Sequence, residues 1–131
     1  MKKTTIFLGI FAMILTFSSC KTTTETLTMI GSWKIDSYYS NGADQTTAFK
    51  ATYANYNISF DASGNYIETY TTLGANITAA GPWVLINAGS DLQLTNRADN
   101  SIRILHIIEI KASSSKVSES NGTKEYHLLK N

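Results

Sequence analysis

From Met29 onward, apolar side chains recur at every second position in short runs, and the runs are separated by turn-forming residues. A period of two fits a pleated strand with one buried face and cannot sit as a helix, whose faces repeat every 3.6 residues. The first run, from Gly31 to Tyr39, sets Trp33 and Ile35 against Lys34 and Asp36, and Asn41-Gly42 ends it. A second puts Tyr56, Ile58 and Phe60 on one face. Asp61-Ala62-Ser63-Gly64-Asn65 then turns the chain into Tyr66 to Thr71, a hairpin in which Gly64 supplies the positive φ. Pro82 to Ile86 begins the next strand, since a proline at a strand start loses no central ladder bond. Leu92 to Thr95 follows. Ser101 to Ile110 places Ile102, Ile104, His106, Ile108 and Ile110 on one face, with Leu105 and Ile107 apolar on the other. Asn121-Gly122 separates Lys116–Glu119 from Thr123–Leu129, a strong hairpin signal. Only the stretch from Thr46 to Ala54 has room for a helical turn. About eight short strands joined by short loops predict an all-β fold, an antiparallel up-and-down meander closed into a small barrel, with an open sandwich as the alternative.

The residues before this body read differently. Lys2 and Lys3 precede an apolar run from Ile6 to Phe17. The run falls short of the roughly 20 apolar residues that cross a bilayer and suits a secretory signal. Phe17-Ser18-Ser19-Cys20 follows at once and resembles the lipobox of bacterial lipoprotein precursors, in which the cysteine thiol is lipidated and becomes the first residue after cleavage. The resemblance implies residues 1–19 as signal peptide, Cys20 as the lipid attachment site, and a chain held on a bilayer in the bacterial cell envelope, at the outer membrane. Two acyl chains on one cysteine anchor stably where one does not. Residues 20–28, with Lys21-Thr22-Thr23-Thr24-Glu25-Thr26, read as a polar tether, and 29–131 as the barrel. Lys21 matches the lysine that opens a surface-export signal in some lipoproteins of Bacteroidota, without the acidic pair that follows it there.

The order of motifs within the body carries a second resemblance. Gly31-Ser32-Trp33 is similar to the glycine-any-tryptophan entry of lipocalins, whose indole plugs one barrel end. With Ile58-Ser59-Phe60, Gly64-Asn65-Tyr66, Gly81-Pro82-Trp83, Leu92-Gln93-Leu94 and Tyr126-His127-Leu128, the chain resembles the lipocalin-like domain of Bacteroidota lipoproteins from Gly31 to Lys130. That implies a calycin-type barrel.

Composition narrows the function classes. With 11 Lys+Arg against 10 Asp+Glu and no basic block, the chain lacks the clustered cations that nucleic acid binding needs. One cysteine makes no internal disulfide, and two histidines, His106 and His127, make no metal-ligand spacing. No nucleophile elbow, phosphate loop or zinc-helix motif is present, so neither an enzyme, a metal site nor a cofactor is expected. The alternation predicts an interior lined by Trp33, Ile58, Phe60, Trp83, Leu85 and Ile104, with His106 as its polar handle. The same side chains also serve as ordinary core. Two functions fit. One is a tethered, non-catalytic module holding a small apolar or amphipathic ligand in the barrel. The other is a filled barrel that binds an envelope protein or glycan through a tyrosine-rich outer surface; the number of tyrosines, Tyr38, Tyr39, Tyr53, Tyr56, Tyr66 and Tyr70, fits such flat faces and equally fits strand propensity.

Overall fold

The computed structural model describes residues 18–131; residues 1–17 of the expected signal segment lie outside the described residues, as do the side chains of residues 18–23, Cys20 among them. Helix α1 (Ser18–Met29) leads into β1 (Gly31–Ser40), a two-residue β2 (Ala43–Asp44), helix α2 (Thr46–Thr52) and β3 (Ala54–Phe60). Then come β4 (Asn65–Thr72), β5 (Ala75–Ile86), a 3-10 turn (Asn87–Gly89), β6 (Asp91–Thr95), β7 (Ile102–Ile110), β8 (Ser114–Glu119) and β9 (Lys124–Lys130). Each long strand pairs antiparallel with the next, and β9 returns to β1 from Trp33↔Lys130 to Ser40↔Lys124. Eight strands therefore close the barrel that the alternation predicts, and β2 is a spur on the far end of β1. Closure removes the sheet edges that an open sandwich leaves exposed.

An up-and-down meander sorts its connections between two ends. The start of β1, the β3–β4 hairpin, the β5–β6 turn and the end of β9 share the lower end. The β2–α2 segment, the β4–β5 hairpin and the β8–β9 turn share the upper one. Trp33, 0% exposed, plugs the lower end, and its indole Nε1 donates to the Met29 carbonyl at 2.9 Å. Lys130 Nζ reaches the Thr28 carbonyl at 3.0 Å and lies 5.0 Å from the Trp33 ring centroid. Residues 20–28, read as a polar tether, lie within α1, and these contacts hold its last turn against the barrel. The barrel's own side chains satisfy the last carbonyls of α1, and the fully buried Met29 fixes its end.

Two further departures from the sequence reading have physical causes. β5 begins at Ala75 rather than at Pro82. Pro82 is tolerated inside it because the strand changes partners there, from β4 (ending at Asn65↔Pro82) to β6 (starting at Trp83↔Leu94). The crossing is tight: a Cβ on Gly81 would stand 1.8 Å from the Thr95 carbonyl oxygen, so only glycine fits. The larger correction concerns β7. Its register pairs Leu94 with Arg103 and Leu92 with Leu105, so Arg103, Leu105 and Ile107 turn inward. Ile104 and His106 lie on the outer face, with Ile102 61% and Ile108 49% exposed. The strand is apolar on both faces, and the alternation alone favours its isoleucines. A charged partner inside the barrel, described below, selects the other face, and a bulge between Ile107 and Glu109 brings Ile110 back against the core.

The β4–β5 hairpin closes on Leu73-Gly74 with φ of 49° and 79° at the two positions. A two-residue turn with both φ positive favours Asn-Gly, and a leucine in the left-handed region carries a steric penalty. Leu73 is fully exposed and gains nothing from packing there. Leu73→Asn is therefore expected to raise stability by about 0.5–1 kcal/mol, read as an increased urea midpoint with unchanged slope.

Candidate functional site at the upper end of the barrel

The upper end is closed by aromatic rings. α2 lies across the gap where β1 and β3 part, and it lowers Phe49 into the mouth. The Phe49 ring stands 4.7 Å from Tyr38, 4.8 Å from Tyr53 and 5.7 Å from Tyr56, centroid to centroid. Tyr70 on β4 extends the cluster, 5.3 Å from Tyr53. Four hydrogen bonds hold α2 and its N-cap to β1: Gln45 N to Tyr38 O, Tyr38 N to Thr46 Oγ1 and Lys50 Nζ to Asp36 O, each at 2.9 Å, and Thr46 Oγ1 to Tyr38 O at 3.4 Å.

Beneath Phe49 the lumen is polar on one side and apolar on the other. Glu68 on β4 is buried, and Arg103 on β7 places Nη2 3.0 Å from each of its carboxylate oxygens. The Tyr56 hydroxyl donates to Glu68 Oε1 at 2.5 Å. Tyr126 donates to Glu119 Oε1 at 3.0 Å on the adjoining wall. Burial, reinforced by the Glu68 charge, pushes the Tyr56 phenol well above its ordinary value; burial followed by the Glu119 charge does the same to Tyr126. Both remain hydrogen-bond donors at neutral pH. For Arg103, burial works against the charge, but Glu68 outweighs it and the guanidinium's pKa is raised. Nη2 makes both hydrogen bonds of Arg103, so Nε and Nη1 keep N–H donors without a partner among the described residues. The Arg103 side chain is nonetheless 42% exposed at the mouth of the barrel, whereas that of Glu68 is 7% exposed.

The cavity that Arg103, Tyr56 and Tyr126 overlook has an apolar floor of Ile58, Phe60, Leu92, Leu105 and Leu128. Its volume is about 20 Å³, room for roughly one water molecule. Outside, between α2 and the end of β1, lies an open groove of about 490 Å³ lined by Tyr38, Ser40, Asn41, Gln45, Thr52 and Tyr53, none of them charged.

Of the residues expected to line the interior, Ile58 and Phe60 meet at this cavity. Trp33 closes the lower end. Trp83 packs edge-on against Phe60 at 5.4 Å and donates to the Asp61 carbonyl at 3.3 Å, also near the lower end. Leu85 faces inward beside Leu92, packed against the core. Ile104 and His106 stand outside the barrel, and His106 Nδ1 lies 2.9 Å from Asp91 Oδ1 with its side chain 54% exposed. Alternation does not single out Glu68 or Arg103, although each sits on the inward parity of its strand, Glu68 between Tyr66 and Tyr70 and Arg103 two positions before Leu105. Among the described residues, no group of three or more His, Cys, Asp or Glu is placed to hold a metal ion, and no helix is long and apolar enough to cross a membrane.

No family model matches the sequence, and no curated protein matches it. Solved structures do. A lipocalin-like protein from Bacteroides uniformis ATCC 8492 superposes with a TM-score of 0.63 at 12% identity, covering 79% of this chain and 99% of that one. A DUF4847 family protein from Bacteroides vulgatus ATCC 8482 gives 0.56 at 13% identity, covering 82% of this chain and 97% of that one. At such identities the likeness concerns the fold, and the fold is a closed, eight-stranded, lipocalin-like barrel.

Proposed function

We propose that this chain is a membrane-tethered, non-catalytic binding protein of the bacterial envelope that takes a small amphipathic molecule at the upper end of its barrel. One observation carries the reading. Arg103, its side chain 42% exposed, keeps N–H donors at Nε and Nη1 without a partner among the described residues, and it overlooks an apolar floor. Such a pairing of a few fixed polar groups with apolar walls is what orients a small ligand. The polar part of the ligand bonds Arg103, while its apolar part takes the place that Phe49 fills. Because the cavity now has room for about one water, Phe49 must move before the ligand enters. The lipid on Cys20 supplies the tether, at the outer membrane.

Titration calorimetry against a panel of fatty acids, sterols and quinones tests the ligand. We expect a binder to shift the Arg103 Hε resonance, and Phe49→Ala, which clears the mouth, to tighten that binder about tenfold. Fatty-acid labelling tests the tether: Cys20→Ala is expected to abolish label and leave uncleaved precursor, and persisting label overturns it. A second reading, a filled barrel that holds an envelope protein or glycan, is favoured by the smallness of the cavity and by the uncharged groove beside α2. It replaces the first if no amphipath moves Arg103 while native mass spectrometry of protein released from its own envelope retains a protein or glycan.

A further inference from the structure

The barrel is closed, yet one of its strands keeps an open edge. β5 pairs with β4 from Ala75 to Pro82 but with β6 only from Trp83 to Ile86. The parity of its backbone follows from one bond: the Ala80 carbonyl accepts from Arg97 N at 2.9 Å, so Ala80 faces the β6 side. No bulge interrupts the pairing of β5 with β4, so Thr78 and Asn76 present their N–H and C=O groups to that same side. Beyond Arg97 the β6–β7 connection turns on itself, with Asn100 N bonded to Asn96 O and Asn96 N to Ser101 O, and no strand covers the edge. Asn76 and Thr78 are exposed.

Exposed edges are ordinarily blunted by lysine, proline or a bulge, because a bare row of donors and acceptors pairs with any strand that fits. Here no charged residue occurs from position 69 to 90. We propose that this edge is a docking surface for the same edge of a second copy of the chain. The segment Ala75-Asn76-Ile77-Thr78-Ala79 reads almost identically in reverse, which is what a twofold antiparallel pairing requires. Centred on Ile77, it sets Ala opposite Ala and Asn76 opposite Thr78 of the other copy. Asn76 and Thr78 carry the outward backbone groups, so they form the hydrogen-bonded pairs and Ile77 meets its copy at the intervening non-bonded pair, where side chains approach closest. Ile77 is 36% exposed and has apolar surface to bury there. The absence of charge leaves no like-charge repulsion at the axis.

The twofold axis inverts one barrel against the other, so the two α1 helices leave at opposite poles. Chains anchored side by side in one bilayer do not meet this way, whereas chains on facing bilayers do. The contact is small beside the roughly 1,200 Å² of stable complexes, so the dimer is expected to depend on concentration.

Disulfide trapping tests the pairing with the full chain in detergent. Cys20→Ala removes the native thiol, and Ile77→Cys then places two sulfurs across a non-bonded pair whose Cα separation suits a disulfide. We expect covalent dimer at least tenfold above that of Ile67→Cys, a control on the outer face of β4. Thr78→Pro, which deletes one outward N–H and no bond to β4, is expected to lower the yield at least fivefold, and Ile77→Lys to shift sedimentation to monomer with an unchanged far-ultraviolet spectrum. Equal trapping at positions 77 and 67, trapping indifferent to Thr78→Pro, or a native chain that remains monomeric while an uncharged peptide of another protein occupies the edge overturns the proposal.

Discussion

Trp33→Ala is expected to destabilise the barrel by about 4 kcal/mol, within the range measured when a buried aromatic is cut to alanine. The indole is fully buried at the lower end, and three elements converge on it. Met29 of α1 accepts its N–H, Lys130 of β9 lies over its ring, and Ile58 of β3 faces it across the sheet. Removing the ring opens a cavity that the closed barrel cannot collapse, because at this lower end each wall strand is hydrogen-bonded to both neighbours. A domain of this size holds about 5–15 kcal/mol in all, so the variant should be partly unfolded at physiological temperature. Urea denaturation followed by the remaining tryptophan, Trp83, measures the loss. A cost below about 1.5 kcal/mol contradicts the role of Trp33 as the plug.

Arg103→Ala is expected to cost about 2–3 kcal/mol, more than Glu68→Gln, for which about 1 kcal/mol is expected. The asymmetry follows from exposure. Glu68 is buried, so deleting Arg103 strands a carboxylate with Tyr56 as its one remaining partner. Deleting the Glu68 charge leaves a side chain that is 42% exposed, against 7% for Glu68, and the penalty is correspondingly smaller. The double variant Arg103→Met, Glu68→Leu should recover most of the loss, since an apolar pair of similar volume has no charge to desolvate. Equal costs for the two single variants contradict the burial on which both the pair and the proposed ligand contact rest. Chemical denaturation at neutral pH distinguishes the outcomes.

Much of this architecture was legible along the chain. Trp33, Ile35, Ile58, Phe60, Leu92 and Leu94 stand inside as their alternation predicts, because each has a polar or small neighbour on the opposite parity that water prefers. Asn41-Gly42 and Asn121-Gly122 mark turns because positive φ is cheap there, and both pairs do end strands. The helical turn expected between Thr46 and Ala54 is α2. Strand order follows from short connections, which leave a meander little choice but to pair neighbours; closure, against an open sandwich, is the non-local pairing of β9 with β1.

The inward face of β7, the plug made by Phe49 and the size of the lumen belong to another class of fact. Both parities of β7 are rich in leucine and isoleucine, so periodicity gives no sign of which faces in. The choice falls to Glu68, 35 residues away, whose buried carboxylate draws Arg103 and with it Leu105 to the interior and sends Ile104 and His106 out. Phe49 fills the mouth because α2 spans the place where β1 and β3 separate, a gap set by closure and invisible in a run of seven residues. A cavity of about 20 Å³ is the small difference between the volume that eight walls enclose and the volume their side chains occupy. Alternation reports which residues can face inward. Whether they meet, and which of two apolar faces wins, depends on side chains brought together from opposite walls, and that information is not local.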